Sequence, residues 1–243
     1  MATPAPHHTD PRENHLLAAL HDAQWARWRS ALEPVDLRLG QVLCESGRAP
    51  SHAYFPTSAV VSLLYLTQDG GSSEIAVVGN DGMVGASLFM GGSAAPSRAV
   101  VQSAGQAFRL RAQALKESVD EDPETLRLLL LYAQSLMAQM AQTALCNRYH
   151  SIDQQLCRRL LMGLDRSRGD ELLMTQELVA NLLGVRREGV TASALKLQLA
   201  GIIRYSRGHI SVLDRGRLEH RACECYAGAK REYRRLLPMA LAA

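Results

Sequence analysis

The chain has 243 residues, of which 47% are hydrophobic and only 5% aromatic, enough to fill two cores of about 100–150 residues each with aliphatic side chains. Its net charge of +3 is unevenly spread: residues 1–145 carry 10 Lys and Arg against 14 Asp and Glu, and residues 146–243 carry 17 against 10. The five cysteines give an odd count and no secreted-framework spacing, the longest apolar run is too short to cross a bilayer, and the basic C-terminal part suggests a polyanionic partner.

In chain order, residues 1–14 are polar and Pro-rich, without a signal-peptide pattern, and read as a flexible tail. A reducing cytoplasm is the expected compartment, with no membrane contact. Residues 14–32 have apolar spacing near 3.6 and predict one or two short helices. From about Val35 to Leu110, short β-prone runs such as "QVLCE", "HAYFP", "AVVSLLYLT" and "RAVVQSAG" alternate with turn residues. Many short strands at near-regular spacing predict a barrel, roll or sandwich.

A long helix follows, with Asp122 as its N-cap and Pro123 at its first position. Leu126, Leu130, Ala133, Met137, Met140 and Ala144 recur at spacings of 4-3-4-3-4, a heptad-like seam that predicts a homodimer interface. Leu129 and Leu136 form a neighbouring stripe that could pack on the β region. The next helix is "SIDQQLCRRLLMGLDR". "GIIRYSRGHISVLDR" predicts a two-stranded hairpin around Ser206-Arg207-Gly208, and Asp214 can cap one last helix running to about Leu237.

Between them lies "TQELVANLLGVRREGVTASALKL". Ala180 is small where a second helix must cross the first. Gly184 can take positive φ at the turn, and Val190 can anchor the second helix in the core. This is the spacing of a helix-turn-helix, whose second helix enters the DNA major groove, and the hairpin after it could serve as a wing. Arg186, Arg187 and Glu188 then open the recognition helix. Arg can bond guanine O6 and N7 together, and Glu can accept from a cytosine amino group. Thr191, one turn on, can touch a thymine methyl or a phosphate. Thr175 and Gln176, at the start of the first helix, can hold a phosphate, and Arg207 in the wing can do the same. Simple solvation of a helix start explains the arginines less well, because positive charge there opposes the helix dipole.

With these residues the sequence resembles the Crp/Fnr family of bacterial transcription regulators, over roughly residues 15–235. The resemblance implies an α+β chain. A jelly-roll-like β-roll sensor domain of cyclic-nucleotide-binding type would span residues 15–121 and a dimerisation helix 122–149. A winged helix-turn-helix domain would span 150–243. It also implies double-stranded DNA with inverted-repeat sites, a homodimer, and RNA polymerase as a further partner. In the family's recognition helix an Arg-Glu pair is often followed four residues later by another Arg. Arg187-Glu188 match here, but Ala192 holds the later position.

The sensor departs further. Against the family's cyclic-nucleotide cassette, Gly85 and Arg98 match as effector-binding residues, but Ala86 and Ala99 replace the ribose-binding Glu and the Ser or Thr after the Arg. Cyclic AMP is therefore not expected as the ligand. An iron–sulfur cluster would need about four grouped cysteines, and only Cys44 lies in the β region. His52 stands alone there and does not predict a haem. Cys223 and Cys225, two apart on one predicted helix, would point to different faces and are not expected to share a metal. No P-loop, nucleophile motif or metal spacing suggests an enzyme. The alternative is a small-molecule receptor acting through a protein partner. Such a receptor would have no use for Arg187 and Glu188 at a helix start.

Overall fold

The computed structural model describes residues 10–167 and 169–238; most of the expected N-terminal tail, residues 1–9, lies outside them. Residues 10–14 are built into the fold. Asn14 is fully buried. Its side-chain amide donates to the Pro56 and Gly82 carbonyls, and its oxygen accepts from the Leu16 and Leu17 amides. It is thus both the N-cap of α1 (His15–Ala18) and a tie to two loops of the β region. Helix α2 (Asp22–Ala31) buries Trp28 against Phe55.

The sensor region has two antiparallel sheets. One has the order β1 (Glu33–Leu37), β7 (Gly105–Arg111), β3 (His52–Pro56). The other has the order β2 (Val42–Cys44), β6 (Arg98–Ser103), β4 (Val60–Leu66), β5 (Ser72–Val78). The two sheets enclose a largely aliphatic core that includes Val61, Met83 and Leu110 together with the Phe55 ring. A helix that the strand pattern did not predict, α3 (Ala112–Glu121), leaves β7 directly and turns the chain toward the long helix α4 (Pro123–Tyr149). Asp122 caps α4, accepting from the Glu124 amide.

Along α4 the 4-3-4-3-4 seam divides between two faces. Leu130 and Met137 are 47% and 54% exposed, and Ala144 is also exposed. Ala133 is buried, and Leu126 and Met140 pack on the sensor core with Leu129 and Leu136. Four consecutive leucines, Leu128–Leu131, make the helix apolar nearly all round, so spacing alone does not say which stripe faces the protein's own domain. The outward stripe is Leu130, Gln134, Met137, Ala141 and Ala144, turned from the predicted seam at every second position.

Helix α5 (Ile152–Leu164) begins after a capping box in which Ser151 and Gln154 satisfy one another's amides. It is followed by β8 (Glu171–Leu173), α6 (Gln176–Leu183), α7 (Arg187–Leu199), β9 (Ile203–Ser206) and β10 (His209–Val212). The wing is thus a three-stranded sheet of order β8-β10-β9, one strand more than the predicted hairpin. The last predicted helix is two helices, α8 (Arg215–Arg221) and α9 (Glu224–Leu236). Between them Ala222 is extended, with ψ of 156°, and Cys223 occupies the N-cap position of the second without a side-chain capping bond. No Gly or Pro marks this break.

The C-terminal unit is docked on the sensor. Val60 and Val77 from the sheet join the core formed by α5, α6 and α7. Two ion pairs span the junction. Arg166 holds Asp81 through its Nε, 3.0 Å from Oδ1, and a second nitrogen, 2.5 Å from Oδ2. Arg159 in α5 is buried with Glu74 of β5, its Nε 2.7 Å from Oε1 and a terminal nitrogen 3.0 Å from Oε2. Gln102 of β6 accepts from the same guanidinium, and the Ser62 hydroxyl lies 2.5 Å from Glu74 Oε2.

Candidate nucleic-acid interface

The interface is built on the α6–α7 turn. Thr175 caps α6, its hydroxyl accepting from the Leu178 amide at 3.1 Å. Gly184 ends the helix with φ of +66°, in the left-handed region where a Cβ is strained. Val179, Ala180, Leu182 and Leu183 are buried from α6, and Val190, Ala194 and Leu197 from α7. Ala180 and Val190, 3% and 0% exposed, are the close-approach and anchor positions predicted from spacing.

This packing leaves one end of α7 facing outward. Arg186 occupies its N-cap position without a capping side chain, and Arg187 and Glu188 form its first turn. All three are exposed. Among the described residues none of their side chains makes a hydrogen bond or an ion pair. Two uncompensated guanidiniums at the positive end of a helix dipole are favourable only when an anion is near. Glu188 offers the acceptor that a cytosine amino group needs.

Thr191 and Gln176 have a further tie. The Thr191 hydroxyl lies 2.7 Å from Gln176 Oε1 and 3.0 Å from the Arg187 carbonyl. The contact braces the start of α6 against the first turn of α7, so these two side chains orient the recognition helix as well as facing outward. On the opposite side, Lys196 bonds Asp153 of α5 at 3.0 Å, and Asp153 also accepts from buried Ser193. Arg207 lies at the tip between β9 and β10 with φ of +50°, beside Gly208 at +83°. It is exposed, as is Arg204 on the same hairpin. Arg186, Arg187 and Arg207 thus sit on the turn and the wing that the sequence predicted, while Thr175 and Gln176 sit where α6 begins.

The sensor cavity has a different chemistry. It is about 360 Å³ and is walled by side chains such as Tyr54, Leu63, Met83, Leu136, Met137 and Met140. Gly85 lies in its wall with φ of +107°. Ala86, in the place of a ribose acceptor, begins a short 3-10 turn there. Arg98 does not line the cavity; its Nε lies 3.2 Å from Glu45 Oε2. The expected anion-binding Arg is thus tied to a carboxylate of its own domain. Among the described residues no Asp, Glu, Lys or Arg lines the cavity. Burial pushes the Tyr54 hydroxyl above its ordinary pKa, against the opposing charge of Arg109.

The profile described as a Crp-like helix-turn-helix domain matches residues 154–221, and that of a cyclic nucleotide-binding domain matches residues 34–122. The chain belongs to the Crp/Fnr family. It is a DNA-binding transcription regulator whose C-terminal unit is the helix-turn-helix just described. The fold is shared with solved family structures at low identity. FixK2 from Bradyrhizobium japonicum superposes with a TM-score of 0.66 at 15% identity, covering 79% of this chain and 98% of that one. A CRP-family transcriptional regulator from Thermus thermophilus gives 0.65 at 18%, covering 77% and 96%. A CRP/FNR-family regulator from the same organism gives 0.63 at 21%, covering 78% and 98%. No curated protein matches the sequence. Among the described residues no helix is long and apolar enough to cross a membrane.

Sequence reasoning missed two features here. The Thr191–Gln176 brace was open to inference, since a turn of fixed length brings the start of α6 under the first turn of α7. The buried Arg159–Glu74 pair carries no local signal, because its partners are 85 residues apart.

Proposed function

We propose that the protein acts as a homodimer on an inverted-repeat operator, with Arg187 reading a guanine and Glu188 a cytosine in each half-site. The observation that carries this reading is the exposed Arg186-Arg187-Glu188 triplet at the start of α7, whose side chains are unpaired among the described residues. The outward stripe of α4 supplies the dimer face, and a two-fold axis there would present the two recognition helices to successive major grooves, about 34 Å apart. RNA polymerase is the partner through which a bound dimer would act. The sensor takes an uncharged, largely apolar effector in place of cyclic AMP, since a cyclic phosphate placed in this cavity would meet no cation.

Selection of bound duplexes from a random pool tests the reading. The expected product is an inverted repeat with half-sites about one helical turn apart, bound without added cyclic AMP. Enrichment of a lone half-site, or of no motif, overturns it. Titration calorimetry separates the effector claim: tight cyclic AMP binding with a matching gain in operator affinity would refute the apolar sensor and leave the operator reading intact.

A further inference from the structure

Four soft donors converge where the long helix meets the C-terminal unit. Cys146 and His150 lie one turn apart at the end of α4, on one helix face. Cys223 and Cys225 lie at the start of α9. On a continuous helix these two cysteines would diverge, but the break at Ala222 makes Cys223 a non-helical cap and lets both sulfurs face the same point. Cys146 Sγ is 3.5 Å from Cys223 Sγ, and Cys225 Sγ is 3.5 Å from His150 Nδ1. All four donor atoms lie within 4.8 Å of one another. The three cysteines are buried, at 1%, 5% and 0% exposed.

We propose that Cys146, His150, Cys223 and Cys225 form a tetrahedral site for a single thiophilic divalent cation of the Zn2+ class. Metal–sulfur bonds of about 2.3 Å and a metal–nitrogen bond of about 2.0–2.1 Å separate tetrahedral donors by about 3.5–3.8 Å. The cluster is already near that spacing and needs side-chain adjustment only. Donors this close leave room for one ion and none for bridged irons. Three thiolates and an imidazole suit zinc and exclude the oxygen-seeking Mg2+ and Ca2+.

Two neighbours support the site. His150 presents Nδ1 to the cluster while its Nε2 lies 3.2 Å from Glu224 Oε1. A ligating imidazole commonly donates its other N–H to a carboxylate in this way. Arg158 is buried at 6% exposed, with a terminal nitrogen on Thr143 Oγ1 at 2.9 Å. Among the described residues it has no carboxylate within ion-pair distance, and its charge acts on Cys146 and Cys225. A dication with three thiolates carries one negative charge, which this guanidinium neutralises. On loading, each thiol gives its proton to solvent as its sulfur bonds the metal. The ion would clamp the end of α4 to α9 across the turn into α5.

The test uses the full chain, expressed without a polyhistidine tag and purified without chelator under reducing conditions. Elemental analysis should find about one zinc per chain. Cobalt titration of the stripped protein should give tetrahedral d–d bands and a thiolate charge-transfer band, saturating at one equivalent. Cys223→Ser and Cys225→Ser should lower zinc affinity at least tenfold against a chromogenic chelator, while Cys44→Ser leaves it unchanged. If either Ser variant fails to fold, X-ray absorption of the wild-type zinc form decides, with three sulfurs and one nitrogen expected. A metal-free wild type with no cobalt spectrum overturns the proposal. So does a cobalt spectrum undiminished in Cys223→Ser, or a Cys146–Cys223 disulfide in the freshly reduced protein.

Discussion

Glu74→Gln tests how the DNA-binding unit is held against the sensor. Glu74 is 7% exposed and Arg159 3%, so neither charge is repaid by water. The substitution keeps the shape and one acceptor but removes the counter-charge, leaving a buried guanidinium bonded to neutral groups, Gln102 among them. Burial already lowers the Arg159 pKa despite the attraction of Glu74. Breaking a buried pair by removing one partner costs about 3–5 kcal/mol, whereas replacing both by apolar residues of similar volume is often neutral. Glu74→Gln should therefore lose about 3–5 kcal/mol, and Glu74→Leu with Arg159→Met should recover most of it.

Urea unfolding followed by two probes reads this out. Both tryptophans, Trp25 and Trp28, lie in α2 of the sensor, so their fluorescence reports that unit, while far-ultraviolet circular dichroism reports both. In the wild type the two curves should coincide. In Glu74→Gln the dichroism should begin to fall before the fluorescence, because the junction opens first. A single variant within about 1 kcal/mol of wild type, with coincident curves, would refute the claim that this pair sets the docking, since that is the ordinary worth of an exposed pair.

Three other outcomes follow from the same structure. Leu130→Glu with Met137→Glu places like charges in the outward stripe of α4 and should give monomers by sedimentation at micromolar concentration; a persistent dimer would exclude the stripe as the interface. Arg187→Ala should cost about 1–3 kcal/mol per half-site and relax the preference at one base pair, whereas Arg207→Ala should weaken all operator variants alike and flatten the salt dependence. A common loss across all variants for Arg187→Ala would make it a phosphate clamp. Partial burial alone would raise the Asp122 carboxyl, but bonds from Thr125, His21 and the Glu124 and Thr125 amides outweigh it and bring it down to about 2. Its stabilising contribution is therefore complete above the ordinary carboxylate range and is lost as pH falls from about 4 toward 2. Asp122→Asn, which can still cap α4, should flatten the denaturation midpoint over that window.

The helix-turn-helix was legible because its determinants are local: Ala180, Gly184 and Val190 span eleven residues and each acts through backbone geometry or close packing. The β-roll was legible as texture, with the register of its sheets open. What escaped depends on distant partners. Arg158 and Arg159 read as part of a basic, polyanion-facing surface, yet both are buried at 6% and 3% exposed. Their charge serves the thiol cluster and Glu74, so the polyanion-facing charge is narrower than the sequence balance suggests. Asn14 read as tail because its acceptors belong to Pro56 and Gly82. The cysteine cluster escaped because it needs a helix break that no Gly or Pro announces.

Helix α4 joins the three features that regulation would need. Its inward side walls the cavity with Leu136, Met137 and Met140. Gln139 fixes it to β5 through both polar groups of Val77, at 2.7 and 3.3 Å. Its outward stripe includes Met137 again, 54% exposed. One flexible thioether thus belongs both to the cavity wall and to the proposed dimer face. A ligand filling the cavity would select a Met137 rotamer, and that choice would change the surface offered to a second copy. Coupling of this kind needs no hinge in the sheets. It is limited to what a few repacked side chains can supply, about 1–3 kcal/mol. In a dimer paired through this stripe the two-fold axis would set the separation of the two α7 helices, so a small bias at Met137 would act on both half-sites at once.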